Sequence, residues 1–246
     1  MARIKAVLTD YIGTLVNARY YDMDTSRKKL HGALTEAGFE TSMAEFLEAY
    51  TKAHEKYRVV RYKQLREVTN AVWISEALNN LGFNANTYDP RIKTALNVFF
   101  QDYVDSLELR PHAKKLIKRI KENCKLGLIS NFTYAPVVYA SLRKIGINQF
   151  FDAVLVSDES GWRKPHKQIF AEALQKLKVT AEEAVFIGDS PLEDIKGVEE
   201  TSIKTVFVTS QFYSLKDLQD SRKKPDFVAE DLHQIYKNLS AIINHQ

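Results

Sequence analysis

Residues 6–15 read AVLTDYIGTL. Apolar and small residues in unbroken succession describe a short strand buried on both faces, and a carboxylate, Asp10, stands where that strand should end. Gly13 and Thr14 then turn the chain. Working outward, IKAVLTDYI, KLGLISN, FDAVLVSD, AVFIGDS, KTVFVTS and, more weakly, DFVAEDL read as strands of one kind. The middle intervals have room for one helix each, as in APVVYASLRKIG after Asn131 and HKQIFAEALQKLK after Pro165. Strands alternating with helices predict an α/β fold with a Rossmann-like parallel sheet covered by helices on both faces.

The interval after the first strand breaks this rhythm. Residues 22–105 hold no convincing strand but four amphipathic segments: TSRKKLHGALTEAG, SMAEFLEAYTKAHEKY, REVTNAVWISEALNNLG and PRIKTALNVFFQDYV. Gly38 and Gly82 lie where two of them should stop, and Ser42 and Asp89-Pro90 are start signals for the next. The expected organisation is an α/β core of residues 1–21 and 106–246, interrupted by a helical cap of residues 22–105.

Composition narrows the class. With 246 residues, 45% of them hydrophobic, and only 9 Gly and 6 Pro, a sizeable core is available and low-complexity or disordered classes are excluded. No stretch approaches the ~20 apolar residues of a membrane span. The charge of +4 is mild, and the basic residues of KKLIKRIKENCK alternate with apolar ones as on a solvated helix, so no nucleic-acid surface is indicated. The one cysteine, Cys124, reads as a packed residue at a strand entrance and suits a reducing compartment. The chain reads as an unprocessed cytoplasmic protein, monomer or homodimer, whose partner is a small molecule.

Four of the expected strands lead into polar residues: Asp10, Ser130 with Asn131, Lys164 in GWRKP, and Asp189 with Asp194 in IGDSPLED. Each alone is an ordinary turn, cap or surface charge. Together, and in this order, they resemble the four motifs of the haloacid dehalogenase-like hydrolase superfamily: DxDxT, Ser or Thr at the second strand, Lys before the last motif, and GDxxxD. A helical cap inserted after the first motif is also a feature of that superfamily. The resemblance implies that Asp10 is a nucleophile, that Lys164 is catalytic, and that Ser130, Asn131 and Lys164 receive phosphate beside Thr14, which braces the Asp10 loop. It implies Mg2+ held by Asp10, the backbone carbonyl of Ile12, Asp189 and Asp194, the last directly or through water.

The chemistry requires such a set. A phosphate dianion repels a carboxylate nucleophile, so cationic charge must lie between and around them. A hard cation on oxygen ligands and the ammonium of Lys164 supply it. One position departs from the pattern: Ile12 stands where the phosphatases of this superfamily carry the aspartate that protonates the leaving group. General acid–base assistance of that kind is worth roughly 100- to 10,000-fold in rate.

Three readings follow. The first is a Mg2+-dependent phosphatase of small phosphorylated molecules working through an aspartyl phosphate, which is slow, chooses substrates with good leaving groups, or borrows an acid, for which Tyr11, Asp22, Asp24 and His31 are the candidates. The second is an (S)-2-haloacid dehalogenase, whose first motif also lacks the second acid; the acidic pair of GDSPLED opposes it, since a substrate carboxylate would be repelled. The third is a non-catalytic phosphate- and metal-binding protein. Phosphonoacetaldehyde hydrolases offer a further precedent by resemblance, in which a cap lysine activates the substrate; Lys28, Lys29, Lys52, Lys56, Lys63 and Lys93 are the cap lysines here. Arg58, Arg61 and Tyr62 form a basic-aromatic face that would meet an anionic substrate, or else a solvated helix surface.

Overall fold

The computed structural model describes residues 3–199 and 201–244. After β1 (Ala6–Thr9) the chain makes a short strand, β2 (Val16–Ala18), and runs through α1 (Met23–Glu36), α2 (Met43–Tyr62), α3 (Asn70–Asn80) and α4 (Pro90–Ser106). It returns in β3 (Leu107–Leu109) and then alternates through α5 (Ala113–Lys121), β4 (Lys125–Ser130), α6 (Ala135–Ile145), β5 (Ala153–Val156), α7 (Ser157–Ser160) and α8 (Lys167–Leu177). The last part comprises β6 (Ala184–Gly188), α9 (Lys196–Val198), β7 (Lys204–Val208), α10 (Leu215–Ser221), β8 (Phe227–Ala229) and α11 (Leu232–Asn244).

The main sheet has the order β5-β4-β1-β6-β7-β8, and every neighbouring pair is parallel. β1 is central because all four of its side chains are buried, and its alternation serves two layers. Val7 joins Leu126, Leu128, Val185 and Ile187 under Leu116 and Ile117 of α5 and Ile235 and Leu239 of α11. Ala6 and Leu8 face the other way, onto Ile169, Phe170, Ala173 and Leu177 of α8. This is the helix-covered parallel sheet that continuous apolar runs describe.

Helices α1–α4 enclose a core of their own around Leu30, Leu34, Phe46, Trp73, Ile74, Leu96 and Phe99. Their starts follow local chemistry: Ser42 and Glu45 form a reciprocal capping box, and Asp89 accepts the Arg91 N–H ahead of Pro90. Core and cap meet along a seam at α6, where Tyr134 stacks on Phe100 at 5.5 Å between ring centroids and donates to Asn97 Oδ1 at 2.6 Å.

Two local features differ from the sequence reading. The first strand stops at Thr9 rather than Ile12, because Gly13 at φ +102° folds the chain back and donates its N–H to the Val16 carbonyl. The two linkers to the cap are also not plain loops. β2 and β3 pair antiparallel, with Val16 opposite Leu109 and Ala18 opposite Leu107. Three-residue strands on alternating polar and apolar residues lie below what periodicity can detect. Among the described residues no helix is long and apolar enough to cross a membrane.

Candidate active site

The three central strands β4, β1 and β6 run in parallel, so their carboxyl ends open on one rim, as ligand sites of open α/β sheets do. β4 ends on Ser130, Asp10 lies one residue beyond β1, and Asp189 lies one residue beyond β6. The Asp10 N–H is tied to the Ile187 carbonyl at 2.9 Å, which fixes the nucleophile candidate against the neighbouring strand. Together these residues border a cavity of about 230 Å³, with Ile12, Asn131 and Asp194, and with Phe212 and Tyr213 from the loop after β7.

Lys164 lies at the centre of the site and is 2% exposed. Its ammonium donates to Asp10 Oδ1 at 2.6 Å and to Asp194 Oδ1 at 2.7 Å. A buried ammonium resists ionisation, but the two carboxylates outweigh that cost and hold its pKa above the ordinary lysine value. Asp194 accepts the Ser190 N–H through its other oxygen. Asp189 is held from two sides, by the Thr14 hydroxyl at 3.3 Å and the Ser210 hydroxyl at 2.6 Å.

Two carboxylates therefore hold the ammonium, and a third, Asp189, lies beside them. Asp10, Asp189 and Asp194 each place an oxygen within 4.8 Å of the others. Burial, with the Asp10 and Asp194 charges, pushes Asp189 up to about 8; burial, only partly offset by Lys164, raises Asp194 to about 7. Burial foremost, together with the surrounding negative charge, makes the carboxyls hold their protons, while the same negative charge makes the ammonium hold its own. Such a site has the donor set of a hard divalent cation. A second observation agrees: Asp10 Oδ2 is buried without a hydrogen-bond partner among the described residues. Both glycines of the site make room for the carboxylates, since a Cβ on Gly13 would overlap Asp189 and one on Gly188 would overlap Asp194.

The structure distributes the remaining candidates unevenly. Ile12 borders the cavity, as do Ser130 and Asn131. The Asn131 side chain clasps the Lys164 backbone, accepting its N–H at 2.8 Å and donating to its carbonyl at 2.9 Å. Thr14 is fully buried and turned onto Asp189, so its hydroxyl serves that carboxylate rather than the cavity wall.

None of the replacement acids borders the cavity. Tyr11 is buried on Ser141 of α6, and burial pushes its hydroxyl up to about 12. Asp22 caps α1, Asp24 pairs with Arg27, and His31 is bonded to Thr41 within the cap. The six cap lysines are all exposed, Lys29 paired with Asp102 and Lys56 with Glu76. The basic-aromatic face is also dismantled: Arg61 is buried on Glu67, whereas Arg58 and Tyr62 stay exposed.

Three contributors escaped sequence reasoning. Ser210 follows β7 at the same strand-end rim, and that position was the available signal. Arg110, in the return linker, donates to the Gly13, Thr14 and Thr209 carbonyls and so clamps the Asp10 loop. Glu193 borders the cavity and accepts from Asn131 Nδ2 at 2.9 Å.

The chain is similar to known proteins along nearly its whole length. The glyceraldehyde 3-phosphate phosphatase of Methanocaldococcus jannaschii is 29% identical over 96% of this chain and 98% of its own. Among solved structures, a 2-haloacid dehalogenase from Pseudomonas syringae pv. Tomato superposes with a TM-score of 0.67 at 21% identity, covering 97% of this chain and 99% of that one. The magnesium-bound HAD-hydrolase YfnB of Bacillus subtilis, described as revealing interdomain movement, has a TM-score of 0.57 at 20% identity, over 99% and 100% of the two chains. At such identities the two structures speak for the fold. Residues 4–200 match the haloacid dehalogenase-like hydrolase family, and the chain belongs to that family.

Proposed function

We propose that the protein is a Mg2+-dependent phosphatase of small phosphate monoesters, with Asp10 as the nucleophile. The observation that carries this reading is the state of the Asp10 carboxylate: Lys164 holds one oxygen, and the other is buried and unpartnered beside two further carboxylates. Asp10, Asp189, Asp194 and the Ile12 carbonyl would hold the cation, which when bound screens the repulsion between the carboxylate and the phosphate.

The chain's own residues do the rest. Asp10 attacks phosphorus, the bond from phosphorus to the ester oxygen breaks, and an acyl phosphate forms on the carboxylate. Lys164 keeps Asp10 oriented and its charge partly balanced; the Ser130 hydroxyl and the Asn131 N–H receive phosphate oxygens at the end of β4. Water then attacks the phosphorus and frees Asp10. Ile12 offers no proton to the leaving oxygen. The relative named as a glyceraldehyde 3-phosphate phosphatase supports a small phosphorylated substrate. Asp189 and Asp194 weigh against a 2-haloacid substrate, because their oxygens, gathered with that of Asp10 within 4.8 Å, suit a cation rather than a substrate carboxylate.

The test is to follow phosphate and halide release side by side, on an aryl phosphate and a 2-haloacid, with Mg2+ and with chelator. Phosphate release that needs Mg2+ and disappears in Asp10→Asn is the expected outcome. Halide release that survives chelation, without phosphatase activity, would transfer the assignment to the dehalogenase. Binding of Mg2+ and phosphate without turnover would make it a binding protein.

A further inference from the structure

One carboxylate of the cap is buried against the loop that carries Lys164. Glu67, in the turn between α2 and α3, has a fully buried side chain. It accepts from Arg61 Nε at 2.9 Å and the Val68 N–H at 3.1 Å within the cap, and from Arg163 Nη1 at 2.6 Å and the Ser157 hydroxyl in the core. Around it the two segments form a short antiparallel bridge. The Glu67 N–H donates to the Gly161 carbonyl, the Arg163 N–H donates to the Leu65 carbonyl, and the Arg66 guanidinium lies 4.0 Å over the Trp162 ring.

Arg163 immediately precedes Lys164, and its guanidinium is shared. Nη1 belongs to Glu67 of the cap, while Nη2 lies 3.5 Å from Glu193 Oε1 of the core. Glu193 in turn receives Asn131 Nδ2, and Asn131 clasps the backbone of Lys164 on both sides. Removing Glu67 leaves Glu193 as the anion for a buried guanidinium. A Glu193 drawn toward Arg163 loosens Asn131, and with it the frame that aims Lys164 at Asp10 and Asp194.

We propose that Glu67 is a positioning residue of the cap. By holding Arg163 it sets the Asn131–Lys164 frame, so that this carboxylate of the cap, rather than docking of the cap in general, keeps Lys164 correctly aimed. The proposal rests on the phosphatase assignment only for its kinetic consequence. The backbone supplies a readout independent of turnover, because two adjacent amides report different things. The Arg163 amide is bonded to the cap and reports docking, whereas the Lys164 amide is bonded to Asn131 and reports the frame.

Residue-resolved amide exchange of the full chain in Mg2+ tests this with Glu67→Gln, and with Arg66→Ala as the variant that weakens docking without touching Arg163. In Glu67→Gln both amides are expected to exchange about tenfold faster or more, and in Arg66→Ala only that of Arg163. On an aryl phosphate, Glu67→Gln should lower kcat about tenfold with KM little changed, the size typical of losing a group that orients a ligating or catalytic side chain. Should Glu67→Gln fold poorly, Arg163→Lys, which keeps the charge but not the shared fork, is expected to give the same pattern in milder form. A Lys164 amide that stays protected in both variants overturns the proposal, as does an equal response of that amide to Arg66→Ala. Loss of Lys164 amide protection in Glu67→Gln, in a protein whose wild type fails to turn over aryl phosphate, would sustain it while refuting the phosphatase assignment.

Discussion

Ile12 borders the cavity with an aliphatic side chain, and none of the four replacement acids reaches it. The first half-reaction therefore depends on how well the leaving oxygen departs without a proton. Aryl phosphates should be hydrolysed far better than alkyl phosphates, and acyl phosphate on Asp10 should accumulate. Ile12→Asp should raise alkyl-phosphate turnover about tenfold or more while leaving the first step on aryl esters little changed. A plot of rate against leaving-group pKa, steep in the native protein and flattened in the variant, checks this; a flat native plot would show that a proton already arrives from elsewhere. At this scale the sequence was legible where polar residues follow strand ends in the order of the four motifs, which is why Asp10, Ser130, Lys164, Asp189 and Asp194 stood out together. It was silent on Arg110, Glu67 and Arg163, whose partners lie tens of residues away in the chain and carry no spacing signal.

Elements with long periodic patterns were equally legible: the buried parallel strands and the four cap helices announce themselves by apolar period and by caps. The ribbon of β2 and β3 did not, since three residues cannot carry a period. Arg110 binds that ribbon to the rim. It bonds carbonyls of the Asp10 loop and of the segment after β7, so one side chain joins three parts of the core. Arg110→Met keeps the stem but orphans those carbonyls, and should cost about 1–3 kcal/mol of stability in denaturant unfolding. It should also lower turnover, because Gly13 and Thr14 carry the backbone that frames Asp10. Arg110→Lys should recover part of both losses, since an ammonium reaches fewer acceptors than the fork.

For the molecule as a whole, the charge excess at the rim couples cation binding, stability and pH. Asp189, raised to about 8, keeps a proton in the folded state that the unfolded chain releases near 4. The folded state thus binds more protons across that window, and metal-free stability falls as pH rises through it. A divalent cation needs the ionised carboxylates, so its contribution grows in the same direction. The gain in Tm on adding Mg2+ should accordingly be larger at about pH 8.5 than at about pH 5.5, measured against chelator at each pH. An equal gain at both would mean that these carboxyls ionise normally. The paired linkers carry a different consequence. Because Ala18 and Leu107 stand opposite each other in register, the 88 residues between them form a detour inside a single hairpin. A two-residue Asn-Gly turn spliced there would complete the ribbon as an ordinary β-hairpin. The register of the ribbon therefore sets no length for the insertion it carries; it requires only that the ends of the insertion arrive side by side.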